Sequence, residues 1–165
     1  MVIEKGKYYI IEKLEFDGEY LLDKKYNGKG YDENGNMIYE SKNGIGKVKE
    51  YNFNDKLNFE GEYFNGKRNG KGKEYDVNDK LRFEDEYLNG KRNGKGKEYY
   101  FNGRLLFEGE YLNGKRNGKG KEYYNNGKLL FEGEYLNGKI NGKGKEYKYG
   151  RLIFEGEYLN GERNI

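Results

Sequence analysis

Glutamates recur two residues apart at Glu60/Glu62, Glu108/Glu110, Glu132/Glu134 and Glu155/Glu157. Two carboxylates on one strand face are the equipment of acid–base cleavage of a glycosidic bond. That chemistry needs one pair whose surroundings drive the two acidities apart. Here the same pair returns in nearly every copy of a repeat, with lysines on the adjoining segment. It reads as a solvated face with cross-strand charge pairs. The stretch from Gly114 to Gly120, GKRNGKG, has the outline of a phosphate loop. It lacks the Ser or Thr that would hold magnesium, its spacing is short and no helix follows, so it reads as hairpin turn chemistry. Histidine and cysteine are absent and Ser41 is the only serine. That leaves no nucleophile–base pair and no thiolate or imidazole for zinc. The chain is read as non-enzymatic, with no catalytic, metal or cofactor residues and no small-molecule substrate.

Three sets of side chains have binding chemistry instead. Lys67, Arg68, Lys91, Arg92, Lys115, Arg116 and Lys139 stand at equivalent turns. Stacked turns would align them as a rim able to meet anionic lipid headgroups or phosphates. Phe59, Tyr63, Phe83, Tyr87, Phe107, Tyr111, Phe131 and Tyr135 form aromatic columns that are expected to be the core. One layer of sheet would leave part of such a face open as a groove for a peptide or a base. Leu106, Leu130 and Ile153 precede Phe, and Leu112, Leu136 and Leu159 precede Asn-Gly. By strand parity both rows fall away from the aromatic face, exposing an apolar patch of the kind that marks an interface. The expected partner is another protein or a second copy of the chain.

The elements that must position these residues follow from a repeat of 24 residues: Phe59, Phe83, Phe107 and Phe131 open successive copies, and Phe154 follows after 23. A fixed period of this size signals stacked supersecondary units. Leu129, Phe131, Gly133 and Tyr135 alternate with Glu132 and Glu134, the period of a strand with one buried face. Asn137-Gly138 then provides the strongest short hairpin signal, because both residues tolerate positive φ. A second turn reads Asn126-Gly127, replaced by Asn54-Asp55 and Asn78-Asp79 in earlier copies. Each repeat is therefore a hairpin. The predicted fold is all-β: a single-layer, twisted antiparallel meander of tandem hairpins, an open solenoid or half-pipe. Residues 1–165 are expected to form a single repeat domain of about six to seven hairpins. Residues 1–58 carry divergent copies, and 59–165 carry regular copies ending in a half repeat. The copy at 39–51 is shortened, with 20 residues from Tyr39 to Phe59, and an irregular hairpin or bend is expected at Ser41–Lys47. The strand glycine is expected to leave room for an aromatic ring of the neighbouring repeat. Asp85 breaks that column, so its repeat should pack differently. The extra residue of the 24-residue period is expected in a turn or a bulge near the Tyr123 column. Both termini are expected at sheet edges, guarded by Glu4, Lys5, Lys7, Glu162 and Arg163.

Composition narrows the partner class. Basic and acidic residues number 32 and 29, a net charge of +3 with both signs mixed throughout. This footprint does not favour nucleic acid. The first residues, MVIEKGKYYIIEKL, lack the apolar stretch of a signal peptide. The expected location is cytoplasmic, with a peripheral membrane position as the alternative.

The segment FEGEYLNGKRNGKG from Phe107 resembles the MORN repeat, and KEYYxNGKLLFEGEY resembles its variant form. The resemblance extends over essentially the whole chain. It implies a curved single-layer antiparallel sheet of hairpins with aromatics on its concave side. It also implies scaffolding, dimerisation, partner docking or contact with acidic phospholipids, and no catalysis. Some bacterial proteins with such repeats resemble antitoxin or immunity proteins. The leading expectation is a scaffold or adaptor for protein–protein interaction through an extended aromatic-lined surface. Lipid binding through the basic rim and antitoxin-like inhibition of a partner are the alternatives.

Overall fold

The computed structural model of the chain describes residues 3–10, 12–21, 24–32, 34–52, 54 and 56–164. The strands are β1 (Ile3–Ile10), β2 (Lys13–Leu21), β3 (Lys24–Tyr31), β4 (Met37–Lys42), β5 (Ile45–Tyr51), β6 (Leu57–Phe64), β7 (Lys67–Tyr75) and β8 (Leu81–Leu88). They continue as β9 (Lys91–Tyr99), β10 (Leu105–Leu112), β11 (Lys115–Tyr123), β12 (Leu129–Leu136), β13 (Lys139–Lys148), β14 (Arg151–Leu159) and β15 (Glu162–Asn164). They lie in chain order in one open antiparallel sheet that does not close into a barrel. No helix occurs among the described residues. Two compact units divide the chain, Met1–Lys80 with Tyr87–Gly90 and Leu81–Glu86 with Lys91–Ile165.

The hairpin tips follow from their sequence. Leu136 lies opposite Lys139, and between them Asn137 and Gly138 both hold positive φ, 51° and 91°. Two left-handed residues match the right-handed twist of the flanking strands, which is why Asn-Gly recurs here. In the second unit each tip is tied to the preceding hairpin, as Gly138 N donates to Arg116 O at 2.9 Å. The turn on the other side is longer. Tyr124 N donates to Lys128 O and Gly127 N to Tyr124 O, with Gly127 at φ 82°. Asp79 takes the same left-handed role at φ 59°. The Asn54-Asp55 turn lies partly outside the described residues. The 23-residue step is also explained: Tyr149-Gly150, at φ 53° and 79°, closes a two-residue turn between Lys148 and Arg151.

Two bulges per repeat absorb the remaining residues. One falls beside the Tyr123 column, as expected: Glu122 opposes Phe131 and Tyr123 opposes Leu129, leaving Leu130 as the extra residue. The other follows the tip. Tyr135 opposes Ile140 while Gly133 opposes Gly144, so the partner strand carries two extra residues around Gly142 at φ 103°. There Glu134 accepts Lys143 N–H at 2.9 Å.

The core is one layer of rings. Phe59, Phe83, Phe107 and Phe131 are at most 1% exposed. Burying each contributes about 2–3 kcal/mol. Phe107 meets Tyr111 of its own hairpin and Tyr135 of the next edge to face, at 5.6 and 5.3 Å. Each Phe lies over the paired strand glycines: a Cβ on Gly120 would come within 2.5 Å of Phe107 Cζ and 3.2 Å of Tyr135 Cε2. The ring that fills the glycine space is thus chiefly the hairpin's own, with the neighbour's Tyr beside it. The Asp85 copy does pack differently. There the Asp85 carboxylate occupies the space over Gly96.

The shortened copy corrects its expectation. Residues 41–47 form neither a bend nor an irregular hairpin. Lys42 pairs with Ile45 around Asn43-Gly44 at φ 55° and 70°, and Ser41 pairs with Gly46. The regular register resumes at Gly46↔Tyr63. The four absent residues are two from each strand, and the post-tip bulge goes with them.

Candidate functional site

The hairpins that carry Arg68 and Arg116 build an arginine–glutamate–tyrosine cluster on the Phe/Tyr face, and in the β12–β13 hairpin Ile140 takes the arginine position. Cross-strand partners share a face, so Arg116, opposite Tyr111, lies beside that ring, while Lys115, opposite Leu112, lies on the other face. The Arg116 guanidinium sits 4.0 Å above the centre of the Phe107 ring. It donates through Nε and NH2 to both oxygens of Glu98, at 3.0 and 2.9 Å, and through NH1 to Glu122. Tyr111 Oη donates to Glu98 as well. In the first unit Arg68 repeats the arrangement over Phe59, bridging Glu50 and Glu74. Arg92 stacks on Phe83 at 3.3 Å.

The electrostatics of the cluster are those of a sealed ion pair. Burial by itself would raise the pKa of Glu98, but the hydrogen bonds from Arg116 and Tyr111 outweigh it and hold the carboxyl below its usual 4.5. Tyr111 is pushed well above the ordinary phenol range, first by burial and then by Glu98. The glutamates of the KEY segments, Glu50, Glu74, Glu98, Glu122 and Glu146, accept from arginine or tyrosine side chains and are structural anchors. The sequence signal for them is the alternation Lys-Glu-Tyr, which sets Glu on the ring face once the bulge is placed.

The opposite face carries the paired glutamates in two roles. Glu60, Glu84, Glu108 and Glu132 each accept a tyrosine hydroxyl from the adjoining strand: Tyr75 to Glu60 and Tyr99 to Glu84 at 2.6 Å, Tyr123 to Glu108 at 2.7 Å and Tyr147 to Glu132 at 2.8 Å. Glu62 and Glu134 cap the bulge, accepting Lys71 N at 3.1 Å and Lys143 N at 2.9 Å. Salt bridges such as Lys145 to Glu155 at 3.2 Å accompany them. The pairs are thus more than a solvated face, for they hold the ladder's irregular points together.

The three sequence-derived residue sets are placed differently from one another. The basic set divides. Lys67, Lys91, Lys115 and Lys139 are exposed, while Arg68, Arg92 and Arg116 are half-buried on the ring face and do not extend a common rim. Adjacent residues on a strand point to opposite faces, which is the physical reason. The aromatic set is closed. Phe59, Phe83, Phe107, Phe131, Tyr87, Tyr111 and Tyr135 are buried and Tyr63 is half-buried, so the rings form a packed core rather than a continuous open groove. Guanidinium groups of Arg68, Arg92 and Arg116 cover Phe59, Phe83 and Phe107. The apolar set also divides. Leu112, Leu136 and Leu159 are 51%, 50% and 59% exposed and Ile153 is 46%, whereas Leu106 and Leu130 are half-buried. Leu106, Leu130 and Ile153 are the extra residues of the bulges, where strand parity breaks down.

The MORN repeat pattern matches the chain at residues 59–79, 86–103, 107–128 and 131–149. No curated protein matches it.

Proposed function

The chain belongs to the MORN repeat family, a non-catalytic repeat generally used for protein or membrane interaction, and from that premise we propose that it is a non-enzymatic scaffold that docks a protein partner. The observation that supports this reading is the row Leu112, Leu136 and Leu159, left about half exposed. These residues end β10, β12 and β14, two strands apart, so they recur about every 10 Å. Lys115 and Lys139 pair directly with two of them. A row of leucines rimmed by charge suits a partner with a matching apolar ridge, a second copy of this chain among them. Inhibition of a partner protein would be one outcome of such docking.

Lipid binding has less support. With the arginines withdrawn, the basic rim reduces to lysines standing among carboxylates. The combined change Leu112→Glu, Leu136→Glu and Leu159→Glu tests the docking reading. It is expected to keep the fold and to halve the mass seen by light scattering if the chain self-associates, or to abolish capture of a purified partner. An unchanged mass and unchanged capture would sink the reading. Salt-sensitive sedimentation with anionic vesicles, unaffected by the three changes, would favour the membrane instead.

A further inference from the structure

The shortened copy lacks what the regular copies place on the ring face. Gly46↔Tyr63, Val48↔Gly61 and Glu50↔Phe59 reproduce Gly118↔Tyr135, Gly120↔Gly133 and Glu122↔Phe131. Counting back along β5 and β4, the positions equivalent to Arg116 and Tyr111 are the ones deleted. Val48 also stands where Gly120 makes room for a ring. Tyr39 accordingly leans toward Gly30, where a Cβ would lie 1.9 Å from its ring, and stacks on Phe16 at 6.2 Å and 19°. In the regular copies Phe59 and Phe107 instead meet the tyrosine of the next hairpin, Tyr87 and Tyr135, edge to face at 5.3 Å, and that tyrosine position is among those deleted here.

What remains in the first unit is a cleft of about 330 Å³ whose walls include Glu15, Tyr20, Lys25, Val48, Glu50 and Tyr63. That volume falls within the range of small-ligand sites, about 300–1,000 Å³. Lys25 does not replace the missing guanidinium, because it is clamped by both oxygens of Glu15 at 2.5 and 2.6 Å. Glu74 and Glu122 each accept an NH1 from the arginine of their own hairpin. Glu50 accepts Arg68 of the next hairpin and Tyr63, while the arginine of its own hairpin does not exist. The hydroxyl of Tyr20, one of the walls, is buried without a hydrogen-bond partner among the described residues. A buried hydroxyl left unpaired costs about 1–3 kcal/mol, so a donor entering the cleft would recover part of that.

The regular repeats display which group fits such a setting: a planar cation stacked on an aromatic ring, with its N–H groups on carboxylate and phenol oxygens. We propose that the cleft binds a guanidinium supplied in trans, either an arginine side chain of a partner polypeptide or a small alkylguanidine. The site is on the first unit and independent of the leucine row.

Titration calorimetry of the full chain at low salt tests this with agmatine, with the peptide acetyl-Gly-Gly-Arg-Gly-Gly-amide and with its lysine counterpart. Saturable binding of agmatine or the arginine peptide is expected, at least tenfold tighter than the lysine peptide. Tighter binding of the peptide identifies a polypeptide arginine as the source, and tighter binding of agmatine a small molecule. Tyr20→Phe removes a hydroxyl that has no partner to lose. It should weaken binding severalfold while the melting temperature stays the same or rises, since the unpaired hydroxyl is itself a cost. A chain restored to the regular hairpin, with Glu-Tyr inserted after Ser41 and Arg-Asn after Ile45, carries its own guanidinium and should lose binding at least tenfold while melting higher. Absence of saturable binding up to about 10 mM, equal affinity for lysine, or undiminished binding by the restored chain would each overturn the proposal.

Discussion

Arg116 shows how a single side chain joins three strands of this sheet. It contacts Glu98 on β9, Glu122 on β11 and the Phe107 ring on β10. Arg116→Ala removes three charge-assisted hydrogen bonds and leaves two half-buried carboxylates without their cation, so a loss of about 2–4 kcal/mol is expected in urea unfolding. Arg116→Lys should restore only a fraction, since one ammonium cannot bridge in the plane of the fork. The copy at Ile140 offers the converse experiment. Ile140 lies opposite Tyr135 in the arginine position, and the Tyr135 hydroxyl is buried without a hydrogen-bond partner among the described residues. Ile140→Arg is expected to supply a cation between Glu122 and Glu146, which orients Glu122 toward the Tyr135 hydroxyl and raises stability by about 1 kcal/mol in the same assay. A loss of stability would mean that the site cannot open enough to take the longer side chain. The division of Lys from Arg is legible in the sequence from the Asn-Gly tip alone. Pairing outward from Asn113-Gly114 sets Lys115 against Leu112 and Arg116 against Tyr111. Treating the two basic residues as one rim overlooks that alternation.

Two glycines of β10–β11 separate the demands that the hairpin makes. Gly114 sits at the tip with φ 86° and open space around it, so Gly114→Ala meets only backbone strain of about 1–2 kcal/mol. Gly120 has an ordinary φ, but a Cβ there would overlap Phe107, whose ring cannot move without disturbing Tyr111 and Tyr135. Gly120→Ala is therefore expected to cost more, about 2–4 kcal/mol, and thermal unfolding of the two variants checks the order. If Gly114→Ala proves the more damaging, the rings are not the rigid layer described. Strands, tips and the ring face are legible because period-two alternation and Asn-Gly need only local rules. The bulges are not. A bulge inserts a residue without a composition of its own, so Leu130 has the same neighbours in sequence whether or not parity holds. That is why the row Leu106, Leu130 and Ile153 reads as an outward face yet has two of its members half-buried. The deletion in the short copy is hidden similarly: a gap of four residues suggests an irregular hairpin or a bend, but removing two from each strand keeps Ser41 paired with Gly46 and Lys42 with Ile45.

Ionisation and repetition set the behaviour of the chain as a whole. Tyr20 and Tyr123 are pushed up to about 12, first by burial, and Tyr63, Tyr111 and Tyr135 are raised further for the same leading cause. A raised phenol constant means that the folded state keeps protons the unfolded state releases above pH 10. Stability is whole below that pH and falls as pH climbs toward the folded values. The tyrosinate absorbance of these buried phenols, taken as the difference between the chain and variants with each changed to Phe, should thus appear together with the loss of β circular dichroism, not before it; the exposed Tyr8, Tyr9 and Tyr149 stand outside this comparison. Ionisation of the buried phenols ahead of unfolding would show the rings to be open to solvent. At acid pH the sign reverses for Glu98, whose lowered constant contributes stability that is lost as pH falls through its folded value. The repeat also predicts how far cooperativity reaches. Phe107 and Phe131 occupy equivalent places, so deleting residues 107–130 rejoins Leu106 to Phe131 in register within the second unit. In a fold where each hairpin touches mainly its neighbours, stability is close to a sum of unit and interface terms. The shortened chain should fold, with a denaturant slope lower by about a seventh, because that slope follows the surface exposed on unfolding and 24 of 165 residues are gone. Collapse of the whole chain on losing one repeat would instead show that the ring layer is a single cooperative body, and that neighbour-by-neighbour addition does not describe it.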